Sequence, residues 1–181
     1  EHLAAASRVP MDDVCPLEFI DNPAPSASYM EFLNLDHEKA ALFSITSGML
    51  ARTTTDDELA SILSRELAHR RLGHQAKADA RRELPRVVAE IKNIAIENEK
   101  DADALGVTYL ARAGYDPKGA AGPLLRLTEF DHVKATFPEM EHPPASVRAE
   151  DVAIIAEVGP SDGKPRAAPL RVRERLRALG Y

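Results

Sequence analysis

The spacing of apolar residues predicts an amphipathic helix over residues 56–73. Thr55 can cap its first turn, and Glu58, three residues later, can reach back to that cap. At about 100° per residue, one side of this helix gathers mainly apolar positions, Leu59, Ile62, Leu63, Arg70 and Gly73. Glu66 falls in the middle of that side. Because a buried carboxylate is costly unless another group pairs with it, Glu66 is the first candidate functional residue.

Three short apolar runs before this helix predict β-strands over residues 17–20, 28–33 and 40–46. Segments rich in Asn, Asp and Pro separate some of these runs and are typical of turns. We expect the strands to form a small antiparallel sheet that precedes the helix.

Proline and glycine signals divide the rest of the chain into further helices. Pro85 can occupy the first position of a long helix, Gly114 can end it, and Asp116-Pro117 can cap and open the next. The expected helices cover residues 85–113, 116–130 and 146–158. A short helix over residues 1–9 is expected to pack on the body of the domain.

The chain is therefore predicted to be a mainly helical α+β protein with one domain over residues 1–160. Residues 161–181 are expected to form a polar linker and an arginine-rich C-terminal helix. Such a run of arginines is usually a solvated helix face, and the alternative is a binding patch for an acidic partner.

Composition and charge exclude several classes of protein. A net charge of −6 argues against general nucleic-acid binding, which needs a basic surface. No apolar run approaches the roughly 20 residues of a membrane span. The single cysteine, Cys15, rules out an internal disulfide and a cysteine-based zinc knuckle. Because the chain begins at Glu1 rather than at Met, the interpretation that a signal peptide or anchor has been trimmed stays open.

Residues 65–69 read Arg-Glu-Leu-Ala-His, which is one residue away from the zinc-peptidase motif HExxH. In that motif two histidines on one helical face hold zinc, and the glutamate between them is the general base. Here Arg65 stands at the first histidine position. Taken alone, the pattern is more typical of a helix with one buried glutamate that its neighbours satisfy.

Glu99 and Asp103 are four residues apart and share a face of the predicted long helix. The positions around them on that face, Ala95, Ala102 and Gly106, are small and would let another helix approach closely. By itself, a Glu-x-x-x-Asp pair on a helix is usually solvated surface.

Four ordered blocks of the chain together resemble the signatures of metallopeptidase family 48. This family includes the prenyl-protein (CAAX) endopeptidases, the heat-shock protease HtpX and many bacterial envelope proteases. The blocks are residues 58–74, residues 99–106, residues 111–117, and His142-Pro143-Pro144 with Arg148. Members of the family typically show D-E-L-A…H-E-L-A-H…R-H, E-x-x-A-D-x-x-G, A-G-Y-D-P and H-P-P in this order, and the resemblance covers roughly residues 17–150.

The resemblance implies a compact zincin-like fold and assigns roles to the matching positions. Glu66 matches the general base, His69 the second zinc histidine and Glu99 the third zinc ligand. Asp103 matches the aspartate that hydrogen-bonds a ligating histidine and fixes its tautomer. His142 matches the histidine of the H-P-P block near the active site, where it is either catalytic or an anchor for its loop.

The resemblance also implies positions around the site. His74 matches a recurrent position outside the ligand set and, about 140° from His69 on a helix, is expected to be structural. The family's substrate-docking edge strand would fall near residues 26–29, which makes Tyr29 a candidate groove residue. A bacterial periplasmic or cell-envelope location is expected from the family alone.

The chain departs from the family most clearly at Arg65. Arginine stays protonated and offers no lone pair, so it cannot ligate zinc, and His69 with Glu99 are too few for a three-ligand catalytic site. The family's glycine-rich turn is also missing between residues 29 and 46, and the segment between the two site helices is shorter than in many members. We hypothesise that Arg65 replaces the metal electrostatically by pairing with Glu66, Glu99 or both.

Two classes of function follow. In the first, the chain is a pseudopeptidase without a cofactor that binds a peptide or protein partner. In the second, it is an active zinc-dependent endopeptidase with an atypical metal site, with Glu66 as general base and a solvent or neighbouring-chain ligand replacing the lost histidine. An engineered Arg65 in an active enzyme is a third, lower-ranked alternative.

Overall fold

A computed structural model describes residues 16–33, 37, 39–77, 88–128 and 143–158. It confirms a mixed α+β protein in which a small three-stranded sheet precedes the helices. The strands and helices are β1 (Leu17–Ile20), β2 (Ala27–Leu33), β3 (Lys39–Thr46), α1 (Ser47–Ala51), α2 (Asp56–Leu72), α3 (Val88–Arg112), α4 (Ala121–Arg126) and α5 (Ala145–Val158). The predicted helix over residues 1–9, Cys15, Pro85, His142 and the 161–181 tail lie outside the described residues.

The sheet is mixed rather than purely antiparallel, and β3 lies at its centre in the order β1-β3-β2. β2 pairs with β3 in the antiparallel sense, as predicted, and Tyr29 lies opposite Phe43. The prediction is wrong for β1, which runs parallel to β3 with Leu17 opposite Phe43. Since the chain reverses direction twice between these two strands, β3 returns in the direction of β1. This order makes β2 an edge strand of the described sheet.

A short helix that the sequence analysis missed, α1, follows β3 directly. The Thr46 side chain caps it by accepting the N–H of Met49 at 3.2 Å, and the same hydroxyl donates to the Ala24 carbonyl at 2.7 Å. A Cβ at Gly48 would lie 2.1 Å from the Pro23 carbonyl oxygen, so only glycine lets the loop after β1 approach.

Helix α2 begins and ends as predicted. Thr55 accepts the Glu58 N–H at 3.2 Å, and the helix ends at Gly73, which has φ of 65°. The Glu58 carboxylate returns to the N–H and hydroxyl of Thr54 and also binds Arg126 of α4 at 2.7 Å. Glu58 thus reaches back to the residue before the cap, rather than to Thr55 as predicted, and ties the start of α2 to a neighbouring helix.

Helices α2 and α3 pack closely in opposite directions, since Arg65 meets Gly106 whereas His69 meets Glu99. A Cβ at Gly106 would lie only 3.1 Å from the Arg65 Cα, so the small residue permits the approach. The inner face of the sheet packs on the two helices through buried residues that include Phe43, Ile45, Leu59, Ile62, Tyr109 and Leu110. No helix in the described ranges is long and apolar enough to cross a membrane.

Candidate functional site

The helix pair brings five of the predicted site residues together. Arg65, Glu66 and His69 come from α2, and Glu99 and Asp103 come from α3. Glu66, Glu99 and Asp103 are each only 5–6% exposed, so the site is a buried cluster of carboxylates. Such a cluster is stable only if cations or donors satisfy it.

Arg65 supplies the first of these cations. Its Nη2 lies 2.7 Å from Glu66 Oε1, and its Nη1 lies 3.4 Å from Glu99 Oε2, so of the pairings left open by the sequence, Arg65 makes both. Burial lowers the pKa of Arg65, but attraction to Glu66, Glu99 and Asp103 outweighs that effect and raises the pKa above its usual value. The guanidinium therefore stays charged inside the site.

Glu66 is bound at both carboxylate oxygens. Oε1 accepts from Arg65, and Oε2 accepts the backbone N–H of Tyr29 in β2 at 3.0 Å. Burial raises the pKa of Glu66, and the neighbouring Glu99 raises it further, against the opposing effect of Arg65 and the Tyr29 N–H. The glutamate thus links the site helix to the edge strand.

Arg148 of α5 is the second cation, and the sequence analysis gave it no role. Its Nε and Nη2 donate to the two oxygens of Asp103 at 2.8 and 2.7 Å, and its Nη1 lies 3.0 Å from Glu99 Oε2. The two-point Arg–carboxylate geometry is the strong form of this interaction. When all of these groups are ionised, the two arginines and the three carboxylates together have a net charge of −1.

A signal for Arg148 was present in the sequence. The buried residues of α5 are Ala145, Arg148, Ala149 and Val152, whose spacing marks one helical face. A cation on an apolar face points to a buried partner by the same reasoning that singled out Glu66.

Asp103, which the resemblance assigns to orienting a ligating histidine, contacts Arg148 in this structure, and its assigned role stays a prediction. Both of its oxygens bind Arg148 rather than a ligating histidine, because α5 packs over that end of the face. The ring that contacts His69 is instead His74, with the two Nδ1 atoms 2.9 Å apart and the rings edge to face. His74 lies outside helix α2, and the left-handed turn at Gly73 brings it back onto His69, so the 140° separation expected on a continuous helix does not apply.

Neither histidine carries a charge at neutral pH. Burial is the main cause that lowers the pKa of His69 to about 3; attraction to Glu99 opposes this shift, whereas repulsion from Arg65 adds to it. Burial also lowers the pKa of His74. His69 Nε2 faces Glu99 Oε1 at 3.4 Å, and His74 Nε2 is buried without a hydrogen-bond partner among the described residues.

Tyr29 reaches the site through its backbone. Its N–H binds Glu66, while its ring packs on Phe43 at a centroid distance of 5.2 Å and lies 5.9 Å from the Arg70 guanidinium. The Tyr29 hydroxyl donates to the Glu31 carboxylate of the same strand.

The donor set does not fit a catalytic zinc ion. His69 Nε2 and Glu99 Oε1 could each donate, but the third position holds the Arg65 guanidinium, which has no lone pair and repels a cation. Within the described ranges, no three His, Cys, Asp or Glu side chains form a group that could hold a metal ion.

No family model matches this chain, and no curated protein matches it. The resemblance to metallopeptidase family 48 therefore rests on the four sequence blocks, and the roles it implies stay predictions.

Proposed function

We propose that this chain is a pseudopeptidase of the family 48 type that acts by binding a peptide or protein partner. The observation that carries the proposal is the Arg65 guanidinium, which contacts Glu66 and Glu99 at the position where the motif requires a histidine. On the resemblance alone, we extend the proposal to a bacterial periplasmic or cell-envelope location.

Electrostatics explains how the acidic site persists. In a zincin, the metal ion neutralises the carboxylates that surround it. Here two guanidiniums, Arg65 and Arg148, face the three buried carboxylates at distances between 2.7 and 3.4 Å. An arginine pair of this kind holds the helices together without requiring an ion.

The arrangement also prevents Glu66 from acting as a general base. A base must be free to take a proton from an attacking water within hydrogen-bond reach. Both oxygens of Glu66 are already bound, one by a permanently charged group and one by a strand N–H.

One observation favours the alternative, a zinc endopeptidase with an atypical site. His69 Nε2 and Glu99 Oε1 lie 3.4 Å apart, close to the separation of two donors that are each about 2.1 Å from one tetrahedral zinc ion. In that case Arg65 leaves Glu99, Glu66 serves as general base, and His142 is a further catalytic candidate.

The variant Arg65→His tests the proposal. We expect it to bind zinc about 100-fold more tightly than the unchanged chain, because even an outer partner of a ligand is worth 10–100-fold. Zinc titration monitored by calorimetry gives the affinity, and a labelled casein digest reports any proteolysis gained. Arg71→His adds a histidine to an exposed position of the same helix and controls for surface zinc binding. Equal zinc affinity for the unchanged chain and Arg65→His would contradict the proposal.

A further inference from the structure

The outer edge of β2 is occupied by side chains of its own chain. Because β2 pairs with β3 on one side, successive residues direct their backbone groups alternately toward β3 and away from it. Tyr29 and Glu31 direct theirs away, and each N–H there binds a side chain. Tyr29 binds Glu66, and Glu31 binds Gln75.

Gln75 imitates a neighbouring strand. Its side-chain oxygen accepts the Glu31 N–H at 2.7 Å, and its side-chain nitrogen donates to the Glu31 carbonyl at 2.8 Å. These are the two bonds that a backbone residue makes in a hydrogen-bonded antiparallel pair, made here by a primary amide. The chemistry recognised at Glu31 is therefore that of a peptide group.

We propose that Gln75 is a removable plug, and that an extended polypeptide segment of the partner displaces it and pairs with β2 over Glu31–Leu33. The proposal rests on the proposed function, since it names the class of partner as a β-strand-forming peptide. It places the docking beside the acidic site rather than inside it.

The hydrogen bond at Tyr29 and those at Glu31 differ in how easily a partner could displace them. Glu66 is 5% exposed and is held by Arg65, so the Tyr29 bond belongs to the buried network. Gln75 is only partly buried, uncharged, and lies in the short helical stretch after Gly73. Displacing the Gln75 amide exchanges two neutral hydrogen bonds for two of the same kind, whereas displacing Glu66 takes the Tyr29 N–H away from one oxygen of a buried carboxylate.

The side chains beside Glu31 set the character of the partner. Met30, Phe32 and Leu33 are 50%, 44% and 63% exposed. Met30 and Phe32 share one face of β2, and apolar side chains at alternate positions of an added strand would cover them, so the partner segment is expected to carry apolar residues at alternate positions. An open edge with such neighbours invites uncontrolled pairing, and Gln75 blocks it until a partner arrives.

Binding of a defined peptide tests the plug. The probe is a fluorescently labelled peptide that alternates Val and Thr, with Lys at both ends, measured by fluorescence anisotropy. We expect Gln75→Ala to bind it about five-fold or more tightly than the unchanged chain, because two net hydrogen bonds no longer compete. Lys77→Ala, two positions along, is the matched control and is expected to leave the affinity unchanged. The same peptide N-methylated at alternate residues is expected not to bind.

Equal affinity for Gln75→Ala and the unchanged chain, or binding of the N-methylated peptide, would overturn the proposal. If Gln75→Ala does not fold, Gln75→Glu replaces it, because a carboxylate cannot donate to the Glu31 carbonyl and gives the same direction of change. Concentration-dependent dimerisation of Gln75→Ala in analytical ultracentrifugation, without peptide binding, would assign the edge to a second copy and overturn the partner named here.

Hydrogen exchange tests the plug without any peptide. The Glu31 amide is expected to exchange about ten-fold faster in Gln75→Ala while the Tyr29 amide is unchanged, since local opening governs exchange. An unchanged Glu31 rate would contradict the plug. These readouts do not depend on zinc, so a failed plug leaves the metal-free proposal standing, and a zinc-binding chain leaves the plug standing.

Discussion

Replacing Arg65 by methionine keeps much of the side-chain volume but removes the charge that faces two buried carboxylates. Glu99 retains Arg148 at 3.0 Å, whereas among the described residues Glu66 keeps only the Tyr29 N–H at 3.0 Å. Breaking a buried ion pair from one side typically costs roughly 3–5 kcal/mol. Because the Arg65 side chain is only 19% exposed, we expect a loss at the lower end of that range, about 3 kcal/mol.

Urea unfolding followed by circular dichroism measures this loss, with Arg71→Met as the control at an exposed position of the same helix. The control is expected to change the free energy of unfolding by less than about 0.5 kcal/mol. A double variant, Arg65→Met with Glu66→Gln, removes both charges and is expected to recover about 2 kcal/mol of the loss as a coupling energy.

The pH dependence gives a second check on the same variant. The folded-state pKa of Glu66 is raised, so the group disfavours folding as pH rises through that value, and the penalty disappears below its unfolded pKa. Without Arg65 the pKa rises further, so the destabilisation by Arg65→Met is expected to shrink as the pH falls toward the ordinary glutamate pKa of 4.5. A loss below about 1 kcal/mol, or one that does not vary with pH, would refute the electrostatic role of Arg65.

Two further predictions concern the frame of the site. Gly106→Ala places a Cβ about 3.1 Å from the Arg65 Cα. The resulting overpacking is expected to lower the free energy of unfolding by about 1–3 kcal/mol in the same assay. A neutral effect would show that the two helices do not pack this closely. Burial raises the pKa of Glu58, but hydrogen bonds from Arg126 and Thr54 outweigh it, and the net folded-state pKa lies below its ordinary 4.5. Glu58 thus stabilises the fold above that pH and loses its contribution as pH falls through the lower folded value, so unfolding titrations of Glu58→Gln are expected to converge with those of the unchanged chain in acid. A constant difference across the acid range would contradict the Glu58 interpretation.

Local signals predicted the site helix well. The Thr55 cap, the acidic first turn and Gly73 fix both ends of α2 through bonds within a few residues, and such short-range chemistry can be read from the sequence. The helical period also brought Glu66 and His69 to the same region as Glu99.

The features that were missed depend on elements far apart in the chain. The direction of β1 follows from which strand lies between the others, and a hydrophobic pattern carries no such information. Arg148 and Asp103 are 45 positions apart in the sequence. They meet because α5 packs against α3, which the local pattern around either residue does not indicate. His74 contacts His69 because the left-handed residue Gly73 ends α2 and turns the chain back. The helical spacing from which the position of His74 was predicted therefore does not extend to it.

Elemental analysis of the unchanged chain, purified without chelator and dialysed against zinc-containing buffer, tests the central claim most directly. Because a guanidinium stands at the position of a metal ligand, we expect well below one zinc ion per chain after unbound metal is removed. Near-stoichiometric zinc that is lost in His69→Ala would contradict it.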